Sequence, residues 1–466
     1  MKITGFDNIE RFRKFNLNKE SGNHSTCSFS FVASEYDDYS SMIGKEVKVI
    51  DEYRDLCNGI VSGIQFSGND VEDMITVDIH SVSVQMDEEK NFRVFQKENQ
   101  TYKEIIDEII SLYEMKIEIP VTYDEMKLEY PIIQLMETDY MFLKRMIKEA
   151  YGTKLITDVS SEKNIYCGHD EHSNYQLMRD EVYEFHLSMD KKNRALEFTI
   201  RGDDLGQELR QYVNVGKKIV WKGVTYIIES LSVKLIDSVY RYICKGIEKN
   251  NIVPKQKEVG DNLLLTAKVA EVADPEHYGR IRLDFNNELV KDMTSEKRMW
   301  VHVLTPYTAE EGGFVFIPEI GDVVQVLWDG KAFVCLGCIR QKPLSEKYQD
   351  VELKQIGNLY GKNICFDKER LVINSDESKI ELSDEEVKIS VKQSNVVLTE
   401  KLIEIETEKS KMSINDDICI DTAKLHVDAN EKENNIKGNY TCEGKNITIN
   451  AAAIAKIEGK IKVDIN

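Results

Sequence analysis

Ile380-Glu381-Leu382, Val387-Lys388-Ile389, Val396-Val397-Leu398 and Ile403-Glu404-Ile405 follow one another at near-constant spacing. Ile364/Phe366 and Leu371/Ile373 precede them, and Met412/Ile414, Ile418/Ile420 and Leu425/Val427 come after. The first members of successive pairs step by 7, 9, 7, 9, 7, 9, 6 and 7 residues. Two apolar residues around one other residue fit a short strand with one buried face. Repetition of such a unit means that no strand buries its face alone, so each must stack on the next. The segment 364–466 therefore predicts a long, thin β-structure with no catalytic pocket along it. Ile447, Ile454 and Ile461 extend the seven-residue step, so strands are expected up to the final residues.

The rest of the chain reads differently. At 466 residues it has room for about three domains. Charged residues make up 31% and hydrophobic ones 41%, which suits a folded chain in water. No stretch approaches the ~18 apolar residues of a membrane span. Met1 to Asp7 lacks the apolar core of a signal peptide, so folding in the cytoplasm and export by another route are expected. The net charge of −21 argues against nucleic-acid binding, which needs clustered Lys and Arg. Nine scattered cysteines read as reduced thiols.

Residues 1–250 mix strands and helices. Strands are expected at Ser25–Ala33, Glu46–Ile50, Gly59–Ser67, Met74–Val84, Leu196–Ile200, Val224–Val233 and Val239–Ile247. Thr101 and Glu104 have capping-box spacing ahead of an apolar stripe from Tyr102 to Tyr113. A second helix should start near Thr138 or Asp139 and stop at Gly152. A polar linker, Glu248 to Lys257, leads to strands at Leu263–Ala273, Tyr278–Phe285, Met299–Thr305, Val323–Trp328 and Phe333–Ile339. Asp329-Gly330 between the last two is a hairpin signal. Five or six strands in about 80 residues fit a small closed barrel of the OB type, at 261–342. A connector, Gln341 to Gln355, then leads into the repeat at 356–466, and no proline follows Pro343.

Several groups could carry chemistry. Cys335-Leu336-Gly337-Cys338 has metal-pair spacing but no second pair, so strand packing is the better reading. Cys167, His169 and His172 lack a fourth ligand, and Glu310-Glu311 reads as a solvated loop tip. No P-loop, Gly-x-Ser-x-Gly or His-Glu-x-x-His occurs. Trp300, Phe314, Phe316 and Trp328 could stack bases, but the loops around them are acidic. No enzyme activity, cofactor or metal is expected.

Three stretches together resemble the VgrG family of contractile injection systems, related to the hub and spike of contractile phage tails. Glu137-Thr138-Asp139-Tyr140-Met141-Phe142-Leu143-Lys144-Arg145 resembles its capped Phe-Leu-x-Arg helix. Asp274-Pro275 to Gly279-Arg280-Ile281 resembles its Asp-Pro-x-x-x-Gly-Arg-Val turn. Trp300-Val301-His302-Val303, then Gly312-Gly313-Phe314-Val315-Phe316-Ile317-Pro318-Glu319-Ile320-Gly321-Asp322-Val323-Val324, is similar to its barrel signature. The resemblance implies a mainly β protein with an α+β hub at 1–250, the OB-fold barrel, and a trimeric β-helix (β-prism) needle. The repeat lacks the Val-x-Gly octads of some phage spikes, and neither a lysozyme-like insert nor an appended effector domain is expected.

A lone strip of strands would expose an apolar face and two open edges, and three copies wound together cure both faults. A homotrimer is therefore expected. Its axis would be lined by Ile364, Phe366, Leu371, Ile373, Ile380, Leu382, Val387, Ile389, Val396, Leu398, Ile403, Ile405, Met412 and Ile414. The resemblance further implies an Hcp-like inner-tube protein, baseplate proteins, effector cargo, transient contact with a target membrane and secretion on contraction. It also implies a PAAR-type tip protein, docked at Ile461, Val463 and Ile465. A hub and spike of a phage tail is the alternative.

Overall fold

A computed structural model describes the chain except residues 7–8, 10, 33–38, 69–72, 121–123, 158–163, 171, 173, 191–192, 250–261, 311, 344–345, 347–348, 453, 455 and 457–466. Met1–Gln341 and Lys342–Asn466 are two compact units.

In the first unit, the described residues of the segment expected to be the hub are organised around a twelve-stranded sheet. Its main path runs Lys2–Ile3, Glu46–Ile50, Asp55–Gly68, Asp73–Ser81, Thr26–Val32, Phe12–Glu20, Val224–Ile236, Val239–Glu248, Asn193–Ile200 and Val182–Asp190. One face packs Phe15, Leu17, Phe29, Val77, Phe198, Leu231 and Val233 into the core. The expected hub strands form, within a few residues at their ends. Phe12–Glu20 was not expected, because a bulge between Phe12 and Lys14 breaks its period-2 pattern.

Two helices build a second core. Helix α1, Tyr102–Ser111, opens on the capping box: Thr101 accepts from the Glu104 N–H, and Glu104 accepts from the Thr101 N–H. Helix α2, Asp139–Tyr151, is capped by Thr138 and ends at Gly152 with φ 64°. Ile105, Ile106, Ile109, Phe142, Leu143, Met146 and Ile147 interlock between them. The first residue of α2, Asp139, is fully buried. Its Oδ1 accepts from Arg93 at 2.6 Å, Gln134 at 2.7 Å and Asn91 at 3.1 Å, and its Oδ2 accepts from the Tyr113 hydroxyl at 2.7 Å. A carboxylate at a helix N-terminus also faces the positive end of the peptide dipoles. Arg145, nearly two turns further on, forks onto Glu137 and donates to the Ile133 carbonyl.

The barrel is a five-stranded sheet ordered Arg282–Asp284, Leu263–Glu271, Val323–Trp328, Phe333–Ile339 and His302–Val303. Reciprocal hydrogen bonds between Ile281 and Val301, at 2.9 and 2.8 Å, close it into a ring. Barrel and hub are stitched together. Lys291–Asp292 pairs in parallel with Arg93–Val94, and buried Gln96 donates to Asp292 at 2.7 Å and to the Leu283 carbonyl at 2.9 Å. Burial pushes the Asp292 carboxyl up, and N–H donors from Thr294 and Phe285 oppose that shift. Among the described residues no helix is long and apolar enough to cross a membrane.

Among its described residues the second unit holds a ladder of nine antiparallel strands. They are Lys354–Gly357, Asn363–Phe366, Arg370–Ser375, Ser378–Ser383, Glu386–Val391, Ser394–Thr399, Ile403–Thr407, Ser410–Ile414 and Ile418–Thr422. Each pairs with its sequence neighbours. The strand at Lys354–Gly357 carries only Ile356 as an apolar member, so pair-counting overlooks it.

The expectation of strands beyond Thr422 is corrected for the described residues: the last strand among them ends at Thr422, and Leu425, Val427, Ile447 and Ile454 lie outside any strand, while the final residues with Ile461 are outside the described ones. The six-residue step from Met412 to Ile418 is one residue short, and Ala423-Lys424-Leu425 stands where the next turn would fall. No serine follows this position, unlike the turns that lead into Ser378, Ser394 and Ser410.

Candidate functional site

The register of the ladder places the apolar pairs directly opposite one another. Ile373 faces Ile380, which faces Ile389, which faces Val396, which faces Ile405, which faces Met412. A parallel row runs Leu371, Leu382, Val387, Leu398, Ile403 and Ile414. Ile364 and Phe366 begin the two rows. All fourteen residues read as axial therefore share one face. At ~4.8 Å per strand that face is roughly 35 Å long. It is open, with Ile373, Ile389 and Leu398 each 39% exposed and Ile405 44%. Contiguous apolar surface of this extent marks an interaction site. Ile461, Val463 and Ile465 lie outside the described residues.

The opposite face buries Cys365 and Val372 side by side at one end and carries paired charges along the rest. Glu381 accepts from Lys379 at 2.6 Å and Arg370 at 2.7 Å, and Glu404 pairs with Lys411 at 2.7 Å. Lys379 foremost, then Arg370, holds the Glu381 carboxyl below its usual range.

The turns carry a signal that pair-counting misses: a 16-residue period. Asp367, Ser383, Thr399 and Asn415 open the turns on one side of the ladder. Asp367 accepts from the N–H of Glu369 and Arg370, Ser383 from Glu386, Thr399 from Lys401 and Leu402, and Asn415 from Asp417. These are the side chains that mimic a backbone turn. On the other side, the two-residue turns Asp376-Glu377, Lys392-Gln393 and Glu408-Lys409 are followed each time by serine, at 378, 394 and 410. The apolar pairs adjoin the first kind of turn and stand two residues back from the second, which produces the alternation of seven and nine.

The barrel motifs have equally local causes. Asp274 accepts from the N–H groups of Glu276, Tyr278 and Arg280 and from the Arg280 guanidinium at 2.8 and 3.0 Å. Gly313 has φ 115°, and a Cβ there would lie 2.7 Å from the Tyr307 carbonyl oxygen, so only glycine fits. Arg282 stacks 4.3 Å from the Trp300 ring centroid and pairs with Glu271 and Glu98, which turns that aromatic face inward to an existing cation.

The cysteine pair is split. Cys335 lies in the barrel core, whereas Cys338 is exposed, with Sγ 3.8 Å from Asp322. Burial raises both thiols, against the thiolate that a metal requires. Cys167 is buried and its thiol is pushed up to about 12, while His172 is exposed. Among the described residues no cluster of three His, Cys, Asp or Glu could hold a metal. Glu310 is exposed beside the Gly312–Gly313 strand, and Glu311 lies outside the described residues.

Residues 265–334 match the family described as the type VI secretion system/phage-baseplate injector OB domain. The chain carries an injector OB domain in a VgrG-like fold. Two solved structures are similar to it. One is the E. coli c3393 protein, described as a type VI secretion component resembling the T4 tail proteins gp27 and gp5. It is 14% identical over 72% of this chain and 99% of that one, with a TM-score of 0.52. The other is a chain of the lidless PdpA–VgrG complex, whose other forms come from Francisella. It is 9% identical over 88% of this chain and 93% of that one, with a TM-score of 0.50. No curated protein sequence matches the chain.

Proposed function

We propose that this chain is the homotrimeric hub and spike of a contractile injection system. The observation that carries the reading is the open face of the ladder: fourteen apolar side chains in two opposed rows. Three such faces turned to one axis would bury what a single copy leaves in water, at about 25 cal/mol per Å². In this reading residues 1–250 match the end of an Hcp-like inner tube, 261–342 collar the junction, and 356–466 form a β-helical needle. Baseplate proteins hold the assembled spike in the cytoplasm. Contraction drives it, with bound effectors and a PAAR-type cap at its tip, through a target envelope. The role is mechanical rather than enzymatic.

The matched domain's description spans secretion systems and phage baseplates alike, so a phage-tail hub and spike is the second reading. Light scattering of the purified chain tests the proposal. A mass of three copies is expected, and a single copy at micromolar concentration would sink it.

A further inference from the structure

A histidine ties one hairpin of the hub sheet to the helical core. His24 stands in the turn between the strands Phe12–Glu20 and Thr26–Val32. Its Nδ1 lies 2.8 Å from the Ser83 hydroxyl and its Nε2 2.9 Å from Asp87 Oδ2, both on the short 3-10 helix Val82–Asp87. Its ring lies on that of Tyr140 in α2, with centroids 3.9 Å apart.

The neighbouring hydrogen bonds fix which nitrogen carries the proton. The Met141 N–H donates to the Thr138 hydroxyl at 3.3 Å, and that hydroxyl donates to Asp87 Oδ1. Asp87 accepts on both oxygens, so His24 presents Nε2–H to it. At the other end the Ser25 N–H donates to Ser81 Oγ at 3.1 Å, and Ser81 and Ser83 share a hydrogen bond of 2.8 Å. With Nδ1 bare the row is satisfied throughout: Ser81 donates to Ser83, and Ser83 donates to His24. A second proton on the ring reverses it. Nδ1–H must then donate to Ser83, whose hydroxyl turns to Ser81, and the Ser81 hydroxyl is left without an acceptor among the described residues. Ser81 and Ser83 are fully buried, so bulk water does not replace the lost partner.

Burial foremost pushes the His24 imidazole below its usual value. Asp87 opposes that shift, while His80 on the strand Asp73–Ser81 and Lys144 on α2 add to it. The Tyr140 phenol stays neutral, its ionisation raised by burial. The unfolded chain therefore binds the proton more readily, and the contact loses stability as pH falls from about 6.5 through the lower folded value.

We infer that His24 is a proton-sensitive clamp: neutral, it holds the hairpin turn at 21–25 on the helical core, and protonated, it lets the turn and the helix at 82–87 part. The inference stands apart from the hub-and-spike reading.

The test follows amide exchange of the full chain by peptide mass spectrometry across pH, corrected for the intrinsic rate. Exchange at the histidine C2 carbon gives the midpoint of His24 itself. Protection of the peptides at 20–27 and 82–88 should fall roughly tenfold from about pH 7.5 to about pH 5. The His24 midpoint should lie below about 6.5 and coincide with that fall. His24→Gln, which carries no titrating proton, should abolish the fall, and His80→Gln should keep it. Constant protection in the native chain, a His24 midpoint at or above the free value, or a fall that persists in His24→Gln overturns the clamp. If that variant misfolds, the two midpoints of the native chain decide, and separate midpoints overturn it.

Discussion

Replacing Asp139 with alanine removes the one acceptor that Arg93, Gln134, Asn91 and Tyr113 share, and leaves an 11%-exposed guanidinium without its carboxylate. Breaking a buried pair in this way costs about 3–5 kcal/mol. Calorimetry of Asp139→Ala should show the hub melting markedly earlier, and a loss below about 1 kcal/mol would mean that the network does not hold the helix. Asp274 offers a pH test. The Arg280 guanidinium foremost, with the N–H groups of Glu276 and Arg280, holds its carboxyl well below the usual carboxylate range. Its stabilisation is therefore complete above an unfolded value of about 3.9 and is lost as pH falls through the lower folded value. Asp274→Asn should melt earlier than the native chain by a steady margin from about pH 5 to 8, closing under stronger acid. A margin that already shrinks near neutrality would refute the assignment. The capping box at Thr101 and Glu104 could be read in advance because both partners sit within one turn. Asp139 was legible only as a helix start, since its partners lie at 91, 93, 113 and 134 and leave no local pattern.

Among the elements, the ladder was the most legible because its stabilising unit is a period-2 pair repeated at fixed spacing, and pairing with sequence neighbours needs no long-range information. The Gln96–Asp292 stitch between hub and barrel spans 196 positions and could not be read from either segment. The same locality governs how the ladder should fail. Ile389→Asp or Ile405→Asp would put a carboxylate into the row that holds both residues, in triplicate if the faces meet at an axis, at a cost of several kcal/mol per assembly. Both variants should lose the heat- and detergent-resistant three-copy species on gels while hub circular dichroism stays unchanged. Undiminished resistance would show that these rows do not face an axis.

For the molecule as a whole, deleting Lys460 to Asn466 should abolish capture of a PAAR-type cap in a pull-down while light scattering still reports three copies. A truncated chain that retains its cap would place the docking surface elsewhere. The 16-residue turn period has a consequence for size. One period is a complete hairpin, out and back, and adds two strands, or roughly 9.6 Å. Inserting or removing a whole period returns every apolar pair to its row and every Asp, Ser, Thr or Asn to its turn. A half-period reverses the direction of all later strands, and a single residue flips their faces. The ladder behaves as a ruler graduated in hairpins: its reach can change between related genes only in whole graduations, each written in 48 nucleotides.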